Sequence, residues 1–251
     1  MVGTGIALAG QATLEAVDCM RRADTLFYAT PNPATEVWIR RINPSASTLQ
    51  DCYAEGKPRD RTYREMSDRI LSAVRAGRQV CAVFYGHPGV FVQPSHDAIR
   101  RARREGFSAR MLPGVSAEAC LFADLGVDPG EVGCQSFEAT DFLASRRRFD
   151  PTSVLILWQV GMLGEPSIRE GMEGRTDRLR VLTAALRRHY PARHRLVLYE
   201  ASQFPVSEPI VMRIRLSALP ATPVLPMTTI YVPPLQSRSL DPRIMEWFDD
   251  G

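Results

Sequence analysis

The sequence predicts an α/β protein made of two α/β subdomains, and three observations carry that prediction. Val80 to Tyr85 is an apolar run without polar alternation, as a strand buried on both faces requires. Strand-like and helix-like stretches alternate through the N-terminal half, the pattern of a parallel sheet with crossover helices. Three small-residue turns, Gly3–Gly5, Gly86–Gly89 and Pro113–Ala117, each stand where a strand is expected to end. Open α/β sheets bind ligands at such strand ends. The 251 residues suffice for one large domain or two modest ones. The break at Leu112–Ser116 sets the expected division at 1–113 and 114–234, with a tail at 235–251.

Taken in order, Val2 runs directly into Gly3-Thr4-Gly5, where a first strand should finish, so that strand is expected to be missing. A helix is expected over about 10–22 and a strand over 24–29. Pro31-Asn32-Pro33 breaks the chain before a helix through Trp38 and Ile42, and residues 43–59 look irregular apart from Thr48-Leu49. Asp60 begins a helix reaching Gly77, with Tyr63, Met66, Ile70 and Val74 at helical spacing on one face. A strand at 79–85, a helix at 94–105, a strand at 107–112 and a helix at about 116–124 follow. In the second half, strands are expected near 133–138, 153–159, 195–201, 210–216 and 226–232, with a helix at 174–189. The last two strands follow one another closely, which predicts antiparallel pairing between them. Trp247-Phe248 in the tail are expected to pack on a neighbouring surface.

Composition narrows the function. Hydrophobic content of 45% and charged content of 24% are ordinary for a soluble globular protein. No apolar stretch approaches a membrane span, and the N-terminus has no secretory pattern. A net charge of +3 gives no argument for nucleic acid. Lys57 is the only lysine among 31 basic residues, and clusters such as Arg146-Arg147-Arg148 suit solvated faces. The five cysteines form no CxxC pair, which points to a reduced, cytoplasmic compartment. Histidines 87, 96, 189 and 194 have no zinc spacing, so no metal is expected.

Gly3-Thr4-Gly5 does not complete a dinucleotide fingerprint, since position 8 is Leu8, and no GxxxxGK loop is present. The three turns instead suit a ligand of mixed charge recognised by backbone groups, such as S-adenosylmethionine. Its carboxylate can sit at the helix start Ser116-Ala117, and its sulfonium beside Tyr85. Read alone, Ser116 is better explained as just a helix N-cap. A second constellation is Tyr53…Lys57, Arg59, Arg61, Tyr63 and Arg64, which crowds cations at a helix start that the macrodipole disfavours. Glu55, Asp60, Glu65 or a substrate must offset them. Tyr63 fits a core tyrosine by periodicity; an arginine beside it would favour the phenolate, as an enzyme needs to deprotonate a very weak acid.

Together these residues resemble the tetrapyrrole methylase superfamily over roughly residues 2–234. The carriers are Val2-Gly-Thr-Gly5, Gly86-His-Pro-Gly89 and Pro113-Gly-Val-Ser116. A closer resemblance is to the borosin peptide α-N-methyltransferases of the omphalotin type. It rests on Tyr85-Gly-His-Pro-Gly-Val-Phe-Val92, Gly56-Lys-Pro-Arg59, Phe122-Ala-Asp-Leu125, Glu138-Ala-Thr140, Trp158-Gln-Val-Gly161 and Tyr231-Val-Pro-Pro234. The resemblance implies an active site in the cleft between the subdomains. Tyr85, His87, Val90, Ser116, Ala117, Gln159, Tyr199, Thr228 and Thr229 would contact S-adenosylmethionine, with S-adenosylhomocysteine as product. Tyr53, Arg59 and Tyr63 would surround the methyl acceptor; Tyr63, alone or with Tyr53, is the expected base, and Arg59 would hold the developing anion. In fungal members the core peptide is fused to the C-terminus, whereas this chain ends soon after Pro234. The expectation is therefore a split form acting iteratively on a separate precursor peptide, as a homodimer or a heterotetramer with two peptides. The alternatives are a tetrapyrrole or other small-molecule methyltransferase, and a non-catalytic peptide-binding homologue.

Overall fold

A computed structural model describes residues 1–167, 174–236 and 240–249, so the tail at 235–251 lies partly outside the described residues. The chain forms two compact units. The first comprises Met1–Gly126 with Glu165–Met172 and Glu200–Ile210; the second comprises Val127–Gly164, Glu173–Tyr199 and Val211–Gly251. The main chain leaves the first unit at Gly126 rather than at the expected 113–114. The reason is local: a Cβ on Gly114 would lie 3.4 Å from Gly86 O, and Cys120 meets Gln11 at 3.5 Å. Residues 114–126 are thereby held to the first sheet.

The first unit contains β1 (Val2–Gly3), α1 (Leu14–Arg22), β2 (Thr25–Ala29), α2 (Pro33–Ile42), β3 (Ser47–Thr48), α3 (Arg59–Arg75), β4 (Val80–Phe84), α4 (Gln93–Arg104) and α5 (Ala117–Leu125). Its four strands are parallel, in the order β1-β4-β2-β3. Alternate residues of the central strands serve opposite cores, since successive side chains point to opposite faces. Leu26, Tyr28, Cys81 and Val83 pack with Met20 of α1 and Ile39 of α2. Phe27, Ala82 and Phe84 pack with Met66 and Ile70 of α3 and Ala98 of α4. This double burial is why Val80–Phe84 carries no polar alternation.

Helix boundaries follow their caps. The helix expected from residue 10 begins at Leu14, because Thr13 accepts a 3.1 Å hydrogen bond from the Ala16 amide. Gln11 is engaged elsewhere, accepting from the Ile6 and Ala7 amides at 2.8 and 3.0 Å. Thr13→Ala is expected to cost about 1 kcal/mol, read as a lowered urea midpoint with unchanged slope. In α2, Asn32 caps Thr35 at 2.8 Å with Pro33 in the first turn.

Two expectations about strands are corrected. The first strand is present, as two residues paired with Val83 and Phe84. Residues 107–112 form no strand. The Met1 ammonium donates to Arg110 O at 2.8 Å and the Leu112 amide to Met1 O at 2.9 Å. Pairing is thus confined to a single residue and builds no ladder.

The second unit contains α6 (Pro129–Val132), β5 (Cys134–Glu138), α7 (Ala139–Ala144), β6 (Val154–Trp158), α8 (Thr176–Leu186), β7 (Arg195–Glu200), β8 (Ile210–Arg215), β9 (Thr229–Val232) and α9 (Pro242–Asp249). Its mixed sheet has the order β5-β6-β9-β7-β8. β5 is parallel to β6, and β9 is antiparallel to both β6 and β7. The expected pairing of β8 with β9 therefore does not occur. Burial explains the choice: β9 is buried at every residue and takes the centre, whereas β8 is largely exposed and takes the edge. Arg213 and Arg215 on that edge suit a strand that must not pair further. One core holds Leu155, Leu157, Leu198 and Ile230 against Leu179, Leu182 and Leu186 of α8. In α9, Trp247 and Phe248 touch each other at 5.3 Å between ring centroids and are 71% and 62% exposed. Among the described residues no helix is long and apolar enough to cross a membrane.

Candidate active site

In the first unit, β1 and β4 are neighbours, so their carboxyl-end loops meet. Gly5 and Gly86 face each other across an antiparallel bridge, with N–H···O distances of 3.3 and 3.0 Å. Both have positive φ, at 69° and 70°, which favours glycine. At Gly3 the requirement is contact: an added Cβ would lie 2.1 Å from Gly86 O and 2.9 Å from Pro88 Cδ. With Gly114 also against Gly86 and Pro88, all three turns noted in the sequence come together.

The loop after β4 carries Tyr85, His87 and Val90. Burial pushes the Tyr85 phenol well above its usual range, with Cys120 adding to the shift, so it remains a neutral hydroxyl. His87 Nδ1 accepts from the Gly89 amide at 2.9 Å, which leaves Nε2 as the N–H nitrogen. Val90 is 42% exposed. Ser116 caps α5 by accepting from the Ala119 amide at 3.3 Å, so the plainer of its two readings is observed. The amide of Ala117, in the first turn, has no acceptor within the helix.

Tyr53, Arg59 and Tyr63 are also brought together. Burial comes first in raising the Tyr53 phenol, Tyr63 adds by charge and hydrogen bonding, and Arg59 opposes both. The net direction is upward. At Tyr53 desolvation outweighs the neighbouring guanidinium. Both tyrosines pack against the core under α3, so Tyr63 is a core-edge residue as its periodicity suggested. The crowded cations are offset unevenly. Lys57 pairs with Glu65 and donates to Cys52 O at 2.6 Å, and Arg61 lies 3.6 Å from Glu65. The Arg59 guanidinium donates to the Glu165 carbonyl, at 3.1 Å, its backbone amide donates to Pro166 O, at 3.1 Å, and Arg59 has no carboxylate partner among the described residues.

In the second unit, the residues after β6 meet the start of β9. Gln159 has φ 56° and ψ 40°, a left-handed conformation uncommon outside glycine and costly to hold. The Val160 amide donates to Thr228 O at 3.0 Å, and a Cβ on Gly161 would lie 2.1 Å from Leu225 O. Tyr199 sits opposite Thr229 in the β7–β9 ladder. Gln159, Tyr199, Thr228 and Thr229 thus share one end of the sheet; both threonines and Tyr199 are buried.

Three further groups were not picked out from the sequence. His96 Nε2 donates to the Gly89 carbonyl at 2.8 Å. Gln11 ties the Ile6–Ala7 amides to Cys120. Gln203 links Asn32 Nδ2, at 2.9 Å, with the Leu8 amide, at 2.9 Å. Only His96 left a signal, falling one turn into the helix that follows the loop. Among the described residues, no three His, Cys, Asp or Glu side chains group as metal ligands.

Comparison with known proteins places this geometry. The family model of tetrapyrrole (corrin/porphyrin) methylases matches residues 1–203. The methyltransferase/ribosomally synthesized type I borosin cyclic peptide precursor of Coprinopsis marcescibilis is 42% identical over 239 residues, covering 93% of this chain and 61% of its own. The methyltransferase/omphalotin A precursor of Omphalotus olearius is 42% identical over 239 residues, covering 93% and 57%. The chain thus spans about three fifths of these relatives. Uroporphyrin-III-C-methyltransferase from Thermus thermophilus aligns with a TM-score of 0.63 at 18% identity over 92% of each chain. A cobalt precorrin-4 methyltransferase aligns at 0.62 and 15%, again over 92% of each. These two structures share the fold, with its parallel and mixed sheets. The chain belongs to the tetrapyrrole methylase family.

Proposed function

We propose that this protein is an S-adenosylmethionine-dependent methyltransferase that N-methylates backbone amides of a peptide, in successive rounds. The observation that carries the reading is the Tyr53–Arg59–Tyr63 cluster, with a guanidinium that has no carboxylate partner among the described residues. An amide nitrogen is a poor nucleophile because its lone pair is delocalised into the carbonyl. Its methylation needs a base for the N–H and a cation for the charge that develops on oxygen. Tyr63 takes the N–H proton. Arg59 faces the imidate-like oxygen. Tyr53, kept protonated by burial, donates to the Tyr63 oxygen and holds it in place.

The cofactor supplies an electrophilic methyl on a sulfonium. The residues carried over for it fit that charge. Tyr85, His87, Val90, Ser116 and Ala117 in the first unit, and Gln159, Tyr199, Thr228 and Thr229 in the second, include no lysine or arginine. A neutral phenol at Tyr85 and the α5 start answer the sulfonium and the carboxylate respectively. The relatives carry methyltransferase and peptide precursor in one name, which supports a peptide acceptor. A homodimer is proposed from the resemblance, with light scattering as its check.

The test adds peptide in trans. Incubation with S-adenosylmethionine and the short peptide encoded beside the gene is expected to add methylene masses stepwise, located on backbone nitrogens by fragmentation. Methylation of a tetrapyrrole and not of the peptide would overturn the reading, as would cofactor binding without turnover.

A further inference from the structure

Gly89 is held by imidazoles through both its amide and its carbonyl, which belong to the two peptide units that meet at its Cα. His87 Nδ1 accepts from its amide at 2.9 Å, and His96 Nε2 donates to its carbonyl at 2.8 Å. Above it, Met111 closes the remaining space, since a Cβ on Gly89 would lie 2.5 Å from Met111 Sδ. The loop closes on itself through the Val90 amide, which donates to His87 O at 3.3 Å. Phe91, immediately after, has φ 56°, an arrangement a non-glycine residue keeps only when its surroundings hold it. His96 lies in the first turn of α4, so the helix that follows the loop reaches back to fix it.

We propose that His96 is a positioning residue for the ligand loop. Through Gly89 it fixes the tautomer and orientation of His87, so that His87 presents a single N–H, at Nε2, to an acceptor on the bound ligand. The chain of effect runs in order. A Gly89 carbonyl held by His96 restrains rotation about the Gly89 Cα, which steadies the amide on its other side, and that amide occupies Nδ1. With Nδ1 occupied, hydrogen must reside on Nε2. Such a donor suits a carboxylate, a ribose hydroxyl or an adenine ring nitrogen. The inference rests on the cofactor reading above for the identity of the ligand, and on the loop geometry alone for the positioning.

The test compares wild type, His96→Ala and His96→Gln, because the glutamine amide retains a donor. His96 is exposed, so neither variant is expected to lose the fold, and thermal unfolding checks this. Alanine is expected to weaken S-adenosylhomocysteine binding by about three- to tenfold, the worth of one exposed hydrogen bond. It should raise KM for S-adenosylmethionine with kcat little changed, speed hydrogen exchange at the Gly89 amide, and mix the His87 tautomers in imidazole-nitrogen NMR. Glutamine is expected to restore all four. Unchanged binding and exchange in His96→Ala, or no rescue by glutamine, would overturn the proposal. If wild type fails to bind S-adenosylhomocysteine, the cofactor reading falls. The exchange and tautomer measurements then still decide the positioning role, supporting it if altered by alanine and overturning it if not.

Discussion

Tyr63→Phe is expected to bind S-adenosylhomocysteine like wild type while methyl transfer to peptide falls by about 10²- to 10⁴-fold, the range for loss of a general base. The substitution removes only the hydroxyl. The ring packs against the core that includes Met66 and Ile70 of α3, and phenylalanine fills the same space. Tyr53 is a poor substitute for it, because burial pushes its phenol up and losing the Tyr63 oxygen does not re-expose it. Calorimetry reads the binding and mass spectrometry the transfer. Activity within threefold of wild type would remove Tyr63 from the mechanism.

Gly3→Ala is expected to lose more than about 3 kcal/mol of stability, above the ordinary cost of one overpacked methyl. The new Cβ would stand 2.1 Å from Gly86 O, and both are anchored in backbone, so no rotamer change relieves the contact. The β1 and β4 turns must separate, and S-adenosylhomocysteine binding should be lost with them. Gly77→Ala provides the comparison. Gly77 has φ 76° and nothing within 4 Å of an added Cβ, so only backbone strain of about 1–2 kcal/mol is expected. Urea midpoints for the two variants separate contact from conformation. Equal costs would mean that the packing of the two turns is unimportant to the fold.

The central strands and the turns were legible in the sequence because each is decided locally. Val80–Phe84 is apolar at every residue, and the glycines at 3, 5 and 86 mark where backbone meets backbone. The α2 start was legible from Pro33, with Asn32 before it as cap. Strand partners were not legible, because partner choice depends on what else is buried. Proximity in sequence favoured β8 beside β9, but the full burial of Thr229–Val232 put β9 between β6 and β7. Likewise the apolar pattern of 107–112 could not reveal that Met1 alone would lie beside it. Within the candidate site, the grouping of Tyr53, Arg59 and Tyr63 was what the family resemblance implied. The direction of the Tyr53 shift was not legible, since it is set by desolvation that only the folded chain creates. His96 was passed over because its place one turn into the helix does not say what it touches until its carbonyl partner is seen.

The central place of β9 has a consequence for synthesis. The first sheet has all its strands once Phe84 has been made, so it can assemble early on the ribosome. In the second sheet, β6 and β7 have no partner between them until Thr229–Val232 emerge. During that interval two strongly apolar strands present open edges, which are templates for pairing with other nascent chains. A chain cut short before Thr229 should therefore accumulate as aggregate. Slow delivery of the last strand, more than any weakness in the finished core, would govern how much of this protein a cell recovers in folded form.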